Sequence, residues 1–356
     1  MAGVFRFSNA VSDIRKFIDT YKVFYQELKD SKDFTHDDGV KVLVDNGLAS
    51  SSGAIGQEAI KRSTNKNRSL DSLYNQHKSY SEIYRMLGWY NPGSKRTNFV
   101  IPEYGEYIFD AEGEILTSHF ELNVLHIVSP SPLVDIRAGN ILRPFPLILK
   151  LLDRLDGVLH RDEIILTVLA CGNDRDENYI DEAEKLIRSL RGDAAKLEDA
   201  YEKLMKKHGV NSKDVFRNYT RFVLATLRWL NFAQPERRKG IYGSKAVNVY
   251  VQTELAKQKV KDLEGSIDIR FSDLESFDDE ANAAFALYTL YHHLKQIGYD
   301  VSDPETQELI VKVSEVGQPI LEQFGINEES KILYFPYQET PLQILQLATE
   351  YFTEND

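Results

Sequence analysis

The 356-residue chain has two tryptophans, and each closes an apolar helical stripe immediately ahead of a basic turn and a strand. Trp89 ends Glu82-Ile-Tyr-Arg-Met-Leu-Gly-Trp, which runs into the turn Asn91–Arg96 and the alternating stretch Asn98-Phe-Val-Ile-Pro-Glu-Tyr-Gly-Glu-Tyr-Ile. Trp229 ends Val223-Leu-Ala-Thr-Leu-Arg-Trp, which meets Gln234-Pro-Glu-Arg-Arg-Lys and the apolar strand Ala246–Val251. A helix stripe followed at once by a two-stranded ribbon buries one helix face against one sheet face. Such a unit is the rear half of a winged helix. The expected fold is mainly α, with two winged-helix-like subdomains (helix-turn-helix plus β-hairpin) over 1–128 and 129–260, and an acidic helical region over 261–356.

Periodicity and caps supply the remaining helices. Ile14, Phe17, Ile18, Tyr21, Phe24, Tyr25 and Leu28 make one stripe over Val11–Lys29. Asp37-Asp38 opens a helix from Gly39 to Asn46, ended by Gly47, and Ser50–Ser52 caps another from Gly53 to Ser63. These two have helix-turn-helix proportions, which makes the second the expected recognition helix. A longer helix, Leu70–Leu87, buries Leu70, Leu73, Tyr74, Tyr80, Ile83, Tyr84 and Leu87. After a break at Pro130, Pro132, Pro144 and Pro146 come Pro146–Leu155, Arg161–Cys171, Tyr179–Lys207 with an interruption at Gly192, and Lys213–Leu230. On that last helix Arg217, Arg221 and Arg228 fall within about 40° of one another, at about 100° per residue. Val215, Tyr219, Phe222, Thr226 and Leu230 oppose them. The tail is expected to be helical over Asp278–Ile297, Pro304–Phe324 and Pro341–Phe352.

The net charge of −12 is unevenly distributed. Residues 61–100 hold 8 Lys/Arg against 2 Asp/Glu, and residues 203–261 hold 14 against 3, whereas residues 262–356 hold 4 against 20. The basic stretches coincide with the two hairpins, as a phosphate-binding surface on an acidic protein requires. The candidate DNA contacts are Gln57, Lys61, Arg62, Thr64, Asn65, Lys66, Arg68, Asn75 and Lys78 in and after the expected recognition helix. They mix base-reading Arg, Asn and Gln with phosphate-binding Lys. Lys95 and Arg96 at the first wing, Arg217, Arg221 and Arg228 on the helix, and Arg237, Arg238, Lys239 and Lys245 at the second wing complete the set. Taken singly, each is an ordinary surface cation or polar side chain.

Catalytic patterns are weak. Asp19 with Glu27-Leu28-Lys29 is the nearest match to a Mg²⁺ nuclease motif, but it lies on the first amphipathic helix with its polar groups facing solvent. Asp174-x-Asp176-x-Asn178 lacks the glycine and final acid of a calcium loop and is expected to cap the next helix. His292-His293 are neighbours that do not share a helix face, and no Walker or dinucleotide glycine pattern occurs. Cys171 is the one cysteine, which excludes an internal disulfide and is expected to be inert core. No apolar run approaches the roughly 18 residues of a membrane span, and Met1-Ala-Gly-Val-Phe-Arg-Phe lacks the charged start and long apolar core of a signal peptide, so none is expected. The expected location is cytoplasmic.

Laid in order, the pieces resemble the DNA-recognition part of the AlwI-like type IIS restriction and nicking endonucleases. The resemblance is carried by Arg143-Pro-Phe-Pro-Leu-Ile-Leu-Lys-Leu-Leu, Asp162-Glu-Ile-Ile-Leu-Thr-Val-Leu-Ala-Cys-Gly-Asn-Asp, Glu182–Arg191, Asn218–Trp229 and Ser81–Tyr107. It implies two helical recognition subdomains ahead of a linker and a Mg²⁺-dependent nuclease domain. This chain departs from that pattern after the second subdomain, where no nuclease motif stands, so the family's catalytic residues have no counterparts here. The expected function is sequence-specific binding of double-stranded DNA, with no cofactor in this chain and cleavage by a partner nuclease subunit using Mg²⁺. The alternatives are a complete Mg²⁺-dependent nuclease with an unrecognised site, or a winged-helix regulator or protein-interaction module.

Overall fold

The computed structural model describes residues 12–51, 53–63, 67–68, 70–95, 98–127, 142–264, 267–268 and 333–334. The expected tail helices and His292-His293 lie outside them. The chain divides into two compact units. The first comprises Met1–Met86, Tyr90–Ile101 and Val128–Val260, and the second Leu87–Trp89, Pro102–Ile127 and Lys261–Asp356. The described part is mainly helical with β-hairpin wings.

In the first unit, α1 (Ile14–Leu28) starts where Asp13 accepts the Lys16 amide, and the whole expected stripe is buried. β1 (Phe34–Thr35) follows, too short to carry an alternation. α2 (His36–Asp45) begins at a capping box in which Thr35 accepts the Asp38 amide and Asp38 accepts that of Thr35. It ends before Gly47, whose φ of +66° suits glycine.

The helix expected over Gly53–Ser63 is corrected. β2 (Ser50–Ser51) and β3 (Ala54–Ile55) pair antiparallel, and α3 (Gln57–Arg62) keeps only six residues. Gly53 and Gly56 sit at φ +82° and +60°, where no right-handed helix can pass. Ser50 caps nothing; its amide donates to Gln76 Oε1, while Gln76 Nε2 donates to the Leu48 carbonyl.

α4 (Ser72–Met86) is opened by Asp71, which accepts the Leu73 and Tyr74 amides. Leu70, expected on its buried face, precedes the helix and is 72% exposed. His77, absent from the expected face, is fully buried. β4 (Asn91–Pro92) and β5 (Asn98–Val100) form the hairpin, with sheet order β1–β5–β4. The strand expected to run on to Ile108 stops because Pro102 opens α5 (Glu103–Asp110).

α5 and α6 (Gly113–His126) belong to the second unit, and so does Trp89. Its indole donates to Asn123 Oδ1 at 3.0 Å, 6.1 Å from the Phe120 ring. The aromatic that fills the first hairpin's core is instead Tyr90, against Tyr84, Phe34 and Phe99.

The rest of the first unit starts at α7 (Pro144–Arg154), with proline in its first turn. A turn through Asp156 and Gly157, both at positive φ, leads to β6 (Val158–His160) and α8 (Arg161–Thr167). The expected continuation of this helix to Cys171 is a turn, with Cys171 buried beyond it. α9 (Glu177–Leu190) is capped by Asp176, as expected, and Gly192 separates it from α10 (Ala194–His208). The single helix expected over Lys213–Leu230 is broken at Thr220 into α11 (Lys213–Tyr219) and α12 (Arg221–Trp229). β7 (Ala233–Arg238) and β8 (Val247–Gln252) form the second hairpin, and α13 (Glu254–Glu264) follows. In the second unit β9 (Ile267–Asp268) pairs parallel with β10 (Leu333–Tyr334).

The sheet order β6–β8–β7 repeats β1–β5–β4. Both halves run helix, short strand, capped helix, insert, helix, hairpin. Thr35 faces Asn98 and His160 faces Val249, so Phe99 and Tyr250 hold equivalent places one residue on. The halves share a core where Phe222 of α12 meets Phe17 of α1 and Phe145 of α7.

Glu163 of α8 is fully buried. It accepts from Nε and Nη2 along one edge of the Arg191 guanidinium at 2.9 and 3.1 Å, from the Tyr242 hydroxyl at 2.5 Å and from the His160 amide at 2.7 Å. Arg191 also donates to the Val158 carbonyl, and the Gly192 amide donates to that of Ile241. One carboxylate thus joins the capped helix, the α9–α10 turn and the loop between β7 and β8.

This packing sets two expectations for stability. Gly→Ala inside a helix ordinarily gains up to about 1 kcal/mol. At Gly39 the new Cβ would lie 2.0 Å from His77 Nε2, on a ring enclosed by Phe24 and His36. Gly39→Ala should therefore lose about 1–3 kcal/mol in urea unfolding. In a His77→Ala background the loss should vanish or change sign; an equal loss there would refute the packing account. Glu163→Gln should cost about 2–4 kcal/mol by leaving the half-buried Arg191 without its counter-charge. Adding Arg191→Met should recover part of that loss.

Candidate nucleic-acid interface

The cations proposed from sequence divide by what the fold does with them. On α3, Gln57, Lys61 and Arg62 are exposed, and Arg62 is paired with Glu58 at 2.5 Å. Arg68 bonds Asp37 at 2.6 Å and lies 5.5 Å from the Tyr74 ring centre, tying the loop before α4 back to α2. Thr64, Asn65, Lys66 and Arg96 lie outside the described residues. α3 does not lead into the hairpin. α4 does, carrying Lys78 exposed and Asn75 half-buried, and Lys95 is exposed in the hairpin turn.

Arg221 and Arg228, seven residues apart, remain on one exposed face of α12, but Arg217 sits on α11 beyond the break. Arg217 lies 3.7 Å from Asp162. Arg237 and Arg238, expected at the wing tip, are on strand β7, and Arg238 is paired with Glu236 at 3.0 Å. The loop that turns at Gly240 and Gly243 carries exposed Lys239 and Lys245 instead. Exposed pairs of this kind are worth about 0–1 kcal/mol and yield to a phosphate at little cost.

One cation was missed from sequence. Arg161, the first residue of α8, is half-buried; its Nε donates to Thr220 Oγ1 at 2.7 Å and its Nη2 to the Arg217 carbonyl. Burial lowers its pKa, and Arg217 and Arg221 nearby lower it further, against the raising effect of Tyr250 and Asp162. Nothing in local sequence marks it, because its partners are 56 and 59 residues away.

In the other half the equivalent position is His36, whose Nδ1 is 3.0 Å from His77 Nδ1, so one ring donates and the other accepts. Its ring meets Phe99 and Tyr74. Burial, aided by Lys78 and Arg85, pulls the His36 pKa down to about 4. Burial and then His36 pull that of His77 to about 3. Among the described residues, His77 Nε2 is buried without a hydrogen-bond partner.

Among the described residues no group of three His, Cys, Asp or Glu side chains could hold a metal ion. Asp19, Glu27 and Lys29 are exposed on α1. No helix among them is long and apolar enough to cross a membrane. No protein-family model matches the sequence, and no curated protein matches it. Among solved structures the chain is similar to the restriction endonuclease FokI, with a TM-score of 0.41 and 11% identity. The match covers 93% of this chain and 64% of that protein.

The histidine pair sets an acid sensitivity. Unfolded, each ring takes a proton near pH 6.5; folded, only near 4 and 3. The pair's contribution is therefore full above pH 6.5 and is lost as pH falls toward the folded values. Between about pH 6.5 and 5, above most carboxylate titration, the urea midpoint should fall with acidity. His36→Gln should make that fall shallower, and an unchanged slope would remove the pair as its cause.

Proposed function

We propose that the chain binds double-stranded DNA sequence-specifically through two winged-helix-like subdomains, as the recognition component of a restriction system. The observation that carries this reading is the repeated order of strands and helices, each time with a helix running into a hairpin and exposed cations on both. An α-helix fits the major groove and a hairpin loop reaches the flanking backbone or minor groove. On this reading the helices that enter the groove are α4 and α12, rather than the stretch 53–63. Lys78 and Asn75, and Arg221 and Arg228, are then the side chains placed to read bases. Lys95, Arg237, Lys239 and Lys245 bind phosphate, with Gln57, Lys61 and Arg62 flanking the first groove. Cleavage falls to a partner nuclease subunit with its own Mg²⁺, and the acidic stretch 262–356 faces that partner or discourages non-specific binding.

A mobility-shift series on random-sequence duplex at rising salt tests the core of the proposal; absence of a complex even at low salt would defeat it. Replacing Arg237, Lys239 and Lys245 with Ala should weaken binding on every sequence. It should also reduce the slope of log affinity against log salt by about 0.9 for each phosphate no longer neutralised. Incubating the purified chain with plasmid and Mg²⁺ should leave the DNA uncut, and cleavage by the chain alone would overturn the division of labour.

A further inference from the structure

The two faces of the second hairpin are occupied differently. Strand register sets Arg237 directly opposite Asn248 and Pro235 opposite Tyr250, and alternation along each strand puts all four on one face. That face runs from a buried base at Ala233 and Gln252, past half-buried Tyr250, to an exposed end at Arg237 and Asn248. Glu236 and Arg238 stand on the other face and satisfy each other at 3.0 Å. Among the described residues, no hydrogen bond or ion pair engages the side chain of Arg237 or of Asn248. Asn248 is also out of place by local preference. It interrupts Ala246-Val-Asn-Val-Tyr-Val, although asparagine is depleted in strands, where β-branched and aromatic residues fit the pleat. It lies inside β8, past the turn at Gly243, and so does none of the capping or turn-making that usually selects asparagine. A residue that breaks a local rule without a structural return marks a position chosen for something else.

We propose that Asn248 is a specificity-determining residue, whose carboxamide bonds the edge of an adenine in double-stranded DNA beside a phosphate held by Arg237. The assignment deepens the DNA-binding reading above and rests on it. Residues 233–252 carry four Lys/Arg against one Asp/Glu, and that one, Glu236, is already paired, so the wing's charge suits a polyanion. A two-stranded ribbon fits the major groove, where adenine presents an acceptor at N7 and a donor at N6, the complement of a free carboxamide. Asn248 is uncharged, so it adds no phosphate affinity and acts only by discriminating between bases. Directly opposed strand positions hold their Cβ atoms about 5 Å apart. A phosphate on the long Arg237 side chain therefore sets the depth at which the short Asn248 side chain meets the bases.

The test is a binding selection from a random duplex library, run on the full chain as wild type, Asn248→Ala, Asn248→Asp and Arg237→Gln. All three changes are at exposed positions and should leave the melting temperature where it is. Wild type should enrich a motif, and Asn248→Ala should lose the preference for A·T at one position of it. On the enriched site Asn248→Ala should bind roughly 5- to 150-fold more weakly, the range for one bidentate base contact. Its affinity for random duplex and its salt slope should match wild type, because no charge is removed. Asn248→Asp should weaken binding on every sequence by setting a carboxylate among phosphates. Arg237→Gln should keep the motif and reduce the salt slope by about 0.9. A motif left whole by Asn248→Ala would overturn the assignment while the DNA-binding reading stands, and so would wild-type binding by Asn248→Asp. If wild type binds no duplex, or binds duplex and enriches no motif, the reading itself fails and the assignment falls with it.

Discussion

The carboxylate of Glu163 is the group around which the second half of the first unit is organised. A buried charge is tolerated only when its oxygens are fully bonded, and here a guanidinium, a phenol and an amide saturate them. The partners come from the α9–α10 turn, the loop beyond β7 and the end of β6, so these can close only together. The same residue serves as the N3 side of the α8 capping box, which makes the start of that helix and the docking of the wing a single event. A wing held this way keeps Lys239 and Lys245 on a short leash. On the proposed reading, that lowers the entropy lost when they meet a phosphate.

The other half solves the same topology with different chemistry. Asp38 takes the N3 position of its capping box but stays at the surface with Thr35. The hairpin is held by Asp33, which accepts from Ser94 and Asn98, and by the aromatic group of Tyr84, Tyr90, Phe34 and Phe99. Where one half has Arg161 as the first residue of its capped helix, the other has a neutral histidine against Phe99. The plan is shared between halves as an order of strands, not as a set of side chains. That is why no fixed sequence period connects them.

The long amphipathic elements were legible in the sequence, because a 3.6-residue stripe such as that of α1 is a property of neighbours. So were the Asp176 cap, the Gly192 break and the strand after Gly243, whereas the strand before Gly240 reads in sequence as a basic loop. What failed was non-local or hung on one residue. β1 and β6 are two and three residues long and exist only because β5 and β8 pair with them. Pro102 turned an alternating pattern into a helix start, and two glycines cut the helix expected over 53–63 to six residues. The candidate site was legible as a set of exposed cations. It was not legible as a geometry, since the bond from Arg68 to Asp37 spans 31 residues and those holding Arg161 nearly twice that.

By itself the sequence determined that this protein is mainly helical, that two helix-to-hairpin passages carry its basic stretches, and that its acid lies mostly elsewhere, because stripes, turns and charge are local properties. Only the tertiary structure decided what the two tryptophans do. Trp89 is buried in the second unit against Asn123 and Phe120, and Tyr90 fills the place beside the first hairpin; Trp229 stays half-buried at the end of α12. It also decided which helices run beside the hairpins and which arginines stand together. A side chain's neighbours depend on strand pairing and on buried partners such as Glu163, which distant parts of the chain supply.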